Sequence, residues 1–299
     1  MRVTEAIDDY LFAWVLLSVV LGVLFPQLSV VAEFSTPILA VMVGSVSLTL
    51  SVSRFLAVDW RALGRILLGH VAMPVVAFGV ARALGLSPAL TVGFVLLGAV
   101  TPELVTPTMT ALADGDTALA SAALVLIGVG SVGFTPAVAS LALGSGVEAD
   151  GWRIAESLLV AVVAPMGLAV AIRTRYDDRV ARYEEYYASV SAVMVVLIIG
   201  GVTATNAGLI RANADLLVRV GAGALALNLA GYALGWWGTW PAPTPVRVAG
   251  TLSVGMRDFA VAAALVTAAG FPASASLPAV SFGVVEMATS ALLARRFGA

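Results

Sequence analysis

Ten stretches of mainly apolar residues follow one another along this chain, near 10–26, 35–51, 62–84, 88–112, 117–143, 152–173, 186–210, 214–237, 244–270 and 275–294. Crossing about 30 Å of hydrocarbon at about 1.5 Å per residue takes about 20 residues of helix, close to the length of each stretch. Little chain is left between them, so a separate soluble domain has no room. Runs this long and continuous also argue against a strand barrel, whose spans are about ten residues of alternating polarity. The sequence therefore predicts an all-α, polytopic membrane protein of ten transmembrane helices. Composition agrees: 60% of the 299 residues are hydrophobic and 11% charged, with a mean hydropathy of +1.01. A soluble domain carries about 25% charged residues, so this chain cannot cover a water-facing surface. A soluble enzyme is excluded.

The net charge of −2 leaves no electrostatic basis for binding nucleic acid. With no cysteine there is no disulfide, no thiolate metal site and no cysteine nucleophile. Glu5, Asp8 and Asp9 outweigh Arg2 ahead of the first apolar run, the wrong sign for a cleaved leader. Ten spans place both termini on one side, which then collects Arg2, Arg54, Arg61, Arg65, Arg173, Arg175, Arg179, Arg182, Arg247, Arg295 and Arg296. The other side holds Arg82, Arg153, Arg211 and Arg219. Eleven against four predicts cytoplasmic termini in a cell membrane by the positive-inside rule.

The polar segment near 144–151 divides the chain into two five-span halves, 1–145 and 146–299. An odd number of spans makes the second half enter the membrane in the opposite sense, the inverted-repeat plan of secondary transporters. Each half carries an interruption in its fourth span. The first is Thr101-Pro102-Glu103-Leu104-Val105-Thr106-Pro107-Thr108, and the second runs from Gly250 to Asp258 through Ser253, Gly255 and Arg257. Pro102 and Pro107 each remove a backbone donor, and Gly250 and Gly255 ease unwinding. Opened backbone cannot face lipid, so matched interruptions point to a binding site near the midplane. Kinks that merely assist packing are the plainer alternative.

Several motifs then carry a resemblance. Met42-Val43-Gly44-Ser45 through Leu50 with Arg54-Phe55, Ala72-Met73-Pro74, Gly93 to Gly98, Leu112-Ala113-Asp114-Gly115-Asp116-Thr117-Ala118-Leu119, Thr135-Pro136 and Gly255-Met256-Arg257-Asp258 stand in the order found in the bile acid:sodium symporter (BASS) family. The chain resembles that family from about Thr36 to Arg296. The resemblance implies ten helices in a panel and a core bundle, broken fourth and ninth helices that cross, and sodium-driven transport of a small organic anion. It also implies positions for sodium ligands, and there this chain departs. Thr106 and Pro107 stand where the family has Ser and Asn, Leu124 to Gly128 offer no hydroxyl, and Ser253 and Arg257 stand where it has Glu and Gln. A hard cation prefers several oxygens and negative charge, so the usual pair of sodium sites is not expected. Which residues hold a metal is left open, and no other cofactor is expected.

Four charged residues fall inside spans: Glu103, Arg257, Asp258 and Glu286. Each costs at least about 2.5–3.5 kcal/mol at a helix centre, so each needs a partner or a function. Arg257 either grips a substrate carboxylate or stands in for a cation, or else it neutralises Asp258, Glu103 or Glu286. Glu103, Asp258, Glu286 and His70 are candidates for coupling, with helix capping and packing as the structural alternatives. Glu103, Thr106, Thr108, Ser253, Arg257 and Asp258 form the expected substrate set. Asn206 and Asn228 suit bonds between helices, and Trp236, Trp237 and Trp240 suit a membrane interface. An intramembrane enzyme is disfavoured, because no His-Glu-x-x-His or Gly-x-Ser-x-Gly motif sits in a span. The matched breaks likewise disfavour a channel. The expectation is a carrier of a small organic anion, coupled to sodium by resemblance, or else proton-coupled or uncoupled.

Overall fold

The computed structural model describes residues 10–50, 58–142 and 151–298, and among these every regular element is helical. In chain order they are α1 (Leu11–Leu24), a 3-10 segment (Pro26–Phe34), α2 (Ser35–Ser47), α3 (Trp60–Ala83), α4 (Pro88–Ala99), α5 (Thr106–Leu112) and α6 (Thr117–Ala142). Then come α7 (Gly151–Arg175), α8 (Glu184–Thr205), α9 (Ala214–Gly238), α10 (Thr244–Gly255), α11 (Phe259–Ala268) and α12 (Leu277–Phe297), with short helical turns between some of them. Among the described residues, eight segments are long and apolar enough to cross a membrane, α10 and α11 together forming one of them, while α1 and α4 are shorter apolar helices. The protein is a multi-pass membrane protein. Arg2, Arg54, the leader region and the boundary near 144–150 lie outside the described residues.

Local chemistry sets the helix ends. Asp59 caps α3 by accepting the N–H groups of Arg61 (2.9 Å) and Ala62 (3.3 Å). Ser87 caps α4, and Pro88 occupies the first turn, where a missing donor is harmless. Gly85 ends α3 with φ +60°, a left-handed conformation that a side chain would strain. The Leu112–Leu119 motif is a turn: Asp114 takes φ 52°, and Asp116 accepts the Leu119 N–H at 3.0 Å to start α6.

Two groups of helices can be traced by packing. Helix α8 packs on α1 and α2, and α2 on α7, while α3, α4, α6, α9, α10 and α12 pack around α5; α11 touches both groups, and α6 meets α7 where they adjoin. Outward faces carry Leu68, Val75, Leu141 and Val218, each more than two-thirds exposed. Such faces suit lipid and not water. Arg247 lies over Trp236 (3.6 Å) and Trp240 (4.4 Å), while Trp237 faces outward, an arrangement that fits the expected interfacial belt. By contrast, every residue from Leu90 to Leu104 and from Val248 to Val266 is buried. The most enclosed stretches of the molecule are the two that contain the breaks.

Candidate functional site

The breaks lie where the sequence suggests, with two corrections. Helix ends at Ala99 and resumes at Thr106, and it ends again at Gly255 and resumes at Phe259. Pro102 sits in the first gap, whereas Pro107 lies in the first turn of α5, a favourable place for proline. Gly250 is helical. Its missing side chain admits α9, since a Cβ there would stand 2.6 Å from Thr239 Cγ2 and 2.9 Å from Gly235 O. Gly255 ends α10 directly against the Tyr232 ring. The α9–α10 seam is thus built on Gly231, Gly235, Gly250 and Gly255, and close backbone approach is their purpose.

Unwound backbone in a membrane protein must find partners, and here they can be counted. On the first break, the Ala99 carbonyl accepts Thr135 Oγ1 (3.0 Å), the Val100 carbonyl accepts Arg257 Nη1 (3.2 Å), and the Thr101 carbonyl accepts the Asp258 N–H (3.0 Å). On the second, the Gly255 carbonyl accepts Asn228 Nδ2 (3.2 Å), and the Arg257 N–H donates to Glu286 Oε2 (2.8 Å). Asp258 Oδ1 accepts the Val261 N–H (2.8 Å) and caps α11. The Glu103 carboxylate lies beside the backbone N–H groups of Leu104 and Phe259. Two intramembrane carboxylates, Glu286 and Asp258, therefore hold the broken backbone of the second break, as anions at helix N-termini do. The two breaks are bound directly to each other through Thr101 with Asp258 and Val100 with Arg257.

Arg257 is fully buried. Nη1 contacts His70 Nδ1 and the Val100 carbonyl, while Nε and Nη2 have no partner. Among the described residues Arg257 forms no direct salt bridge with a carboxylate, and of the three acids named as its partners it is Glu286 whose charge acts on it. His70, on α3, is buried with its ring tilted against that of Phe134 at 5.3 Å. No group of three or more His, Asp or Glu among the described residues is placed to hold a metal ion. Ser253 Oγ is buried without a partner, and Thr106 Oγ1 reaches only Met256 Sδ (3.9 Å).

A cavity of about 470 Å³ opens beside the breaks. Its walls come from both helix groups: α1 and α8 on one side, and the first break, α5, Met256, α11 and α12 on the other. Of the expected substrate residues, Glu103 and Thr108 line it; Thr106, Ser253, Arg257 and Asp258 do not. Glu286, expected for coupling, also lines it, and His70 does not. Sequence reasoning missed the opposite wall. Ala188, Ser191, Ala192 and Val195 stand at i, i+3, i+4 and i+7, a single small-residue face of α8 whose spacing was legible. It also missed Tyr232 and Thr289, which join Asn228 in one network: Thr289 Oγ1 donates to Asn228 Oδ1 (2.7 Å) and lies 3.2 Å from Tyr232 Oη. Asn206 bonds Ser276 Oγ (3.0 Å), so both asparagines link helices as expected.

Comparison with known proteins gives a consistent result. The profile of the Sodium Bile acid symporter family matches residues 36–213, more than half of the chain. An uncharacterized sodium-dependent transporter of Bacillus subtilis (strain 168) is 27% identical over 287 residues, covering 94% of this chain and 88% of that protein. A chloroplastic protein of Oryza sativa subsp. japonica, named as a probable sodium/metabolite cotransporter, is 26% identical over 209 residues, or 69% of this chain and 49% of its own length.

Proposed function

This chain belongs to the sodium bile acid symporter family, a family of transporters and not of enzymes, and on that premise we propose that it is a secondary carrier of a small organic anion. The observation that carries the reading is the cavity of about 470 Å³ shared between two helix groups and bounded by both breaks. Rocking of one group against the other would expose it to each face of the membrane in turn. The reading includes ten spans, α4–α5 and α10–α11 each counting as one broken span. It also includes inverted repeats over 1–145 and 146–299, a panel of α1, α2, α7 and α8 against a core of the remaining helices, and cytoplasmic termini in a cell membrane. The Arg asymmetry and the matched breaks support these points.

Sodium, which both relatives carry in their names, is the coupling ion in this reading. A second reading, transport without sodium, is favoured by one observation: Ser253 and a buried Arg257, without a direct salt bridge among the described residues, stand at the ninth-helix positions where ligands are expected from the resemblance. Purified protein in liposomes, tested with the bile-acid anion taurocholate, separates these possibilities. A carrier gives saturable uptake and counterflow. Steep, saturable loss of uptake when choline replaces sodium supports the first reading, and unchanged uptake supports the second. Flux without saturation or counterflow would refute a carrier.

A further inference from the structure

Two arginines converge on the turn that joins α9 to α10. Arg65, in the second turn of α3, donates through Nη1 to the Trp240 carbonyl at 3.0 Å. Arg247, in the first turn of α10, lies over the rings of Trp236 (3.6 Å) and Trp240 (4.4 Å), and its Nε donates to the Trp236 carbonyl at 3.4 Å. These bonds place each guanidinium while using one nitrogen of each. Neither arginine forms a salt bridge with a carboxylate among the described residues. The acids of this end commit an oxygen to a helix cap: Asp59 Oδ1 accepts the Arg61 N–H, and Asp116, whose own N–H reaches the Pro245 carbonyl, accepts the Leu119 N–H. Two placed guanidinium forks without a counter-ion suit the oxygens of a phosphate.

Apolar surface continues from the same place. Along α3 beyond Arg65, Leu68 and Val75 face outward, and along α9 back from Trp240, Trp237 and Leu229 do so, each more than half exposed. The two helices pack against each other. A free phosphate gains nothing from such surface, whereas a phospholipid has chains to lay on it. Tryptophan is also the side chain that settles at headgroup level in a bilayer. A zwitterionic headgroup would bring a third cation to a place that already holds two. An anionic one brings none, and anionic lipid attracts arginine at the membrane surface.

We propose that Arg65 and Arg247 hold the phosphodiester of one anionic phospholipid, with Trp240 between them at headgroup level and the acyl chains along the outward faces of α3 and α9. The site is separate from the cavity and takes no part in solute or sodium binding. The lipid ties α3 to the start of α10, whose other end is Gly255 at the second break. It therefore braces the hairpin that carries that break.

The test titrates the purified protein in neutral detergent with phosphatidylglycerol, phosphatidylcholine or inorganic phosphate. Native mass spectra should show one phosphatidylglycerol retained in preference to phosphatidylcholine. Arg65→Gln and Arg247→Gln should each weaken that retention at least about fivefold, and the double variant should lose the preference. Arg82→Gln removes an exposed arginine at the far end of α3 and should leave it unchanged. Brominated phosphatidylglycerol should quench tryptophan fluorescence more than brominated phosphatidylcholine in wild type, and no more than it in the double variant. Equal retention of the two lipids by wild type overturns the proposal. An Arg82→Gln loss as large as that of Arg65→Gln overturns it in favour of diffuse attraction, and displacement of the lipid by inorganic phosphate overturns it in favour of an ion site. Arg65 is exposed, so Arg65→Gln decides the matter even where Arg247→Gln unfolds.

Discussion

A single methyl group at Gly231 probes the seam that fixes the second break. Built on the existing backbone, the Cβ of Gly231→Ala stands 2.7 Å from Gly255 Cα, 2.9 Å from Val254 O and 3.1 Å from Met73 Cε. Two of those atoms are backbone of the last turn of α10, so no rotamer change relieves the overlap. Carbon atoms rest at about 3.5–4.0 Å, and α9 and α10 must therefore part by about 1 Å. Overpacking of this kind costs about 1–3 kcal/mol. Gly221, on the same helix, is the control, because a Cβ there meets nothing within 4 Å. Its change to alanine improves helix propensity by up to about 1 kcal/mol. Thermal melts in detergent should rank Gly221→Ala at or above wild type and Gly231→Ala clearly below. Transport by Gly231→Ala should also fall, since Gly255 leads directly into Met256, Arg257 and Asp258. A Gly231→Ala protein that melts with wild type would refute the close-packed seam.

Three further outcomes follow from the same geometry. Asn228→Leu leaves the Gly255 carbonyl without its donor and Thr289 without one acceptor, and it should destabilise by about 1–3 kcal/mol; a wild-type melting temperature would contradict this. Because Arg257 forms no ion pair with Asp258 among the described residues, adding Asp258→Asn to Arg257→Gln should not restore stability, and a double mutant that melts above the Arg257→Gln single mutant would show a hidden pairing. The chain has no cysteine, so topology can be read cleanly: in intact cells an impermeant maleimide should label Asp215→Cys and spare Asp178→Cys, both exposed positions, and the reverse pattern would invert the proposed orientation.

Much of the fold was legible because it is written in local composition. Apolar runs match the helices closely: the run near 62–84 became Trp60–Ala83, and that near 214–237 became Ala214–Gly238. Hydrophobicity averaged over some twenty residues needs no knowledge of neighbours to predict burial in lipid. The turn at Asp114–Asp116 and the opening at Pro102 were equally local, the one from residues that tolerate a left-handed backbone and cap a helix, the other from a missing donor.

What each break is made of was settled only by packing. Glycine in a sequence signals either looseness or close approach. At Gly250 the structure chooses the second, because the backbone of α9 passes within reach of the missing Cβ. Proline likewise reads as a breaker until its position in the first turn of α5 shows that nothing is lost at Pro107. Above all, the sequence established that Arg257, Glu103, Asp258 and Glu286 are intramembrane charges, but it could not say which way they point. Their partners come from residues as far away as His70, Val100 and Phe259. Burial of a charge is a property of one residue's surroundings along the chain. Its direction depends on which donors and acceptors other segments bring within about 3 Å, and only the tertiary structure assembles them.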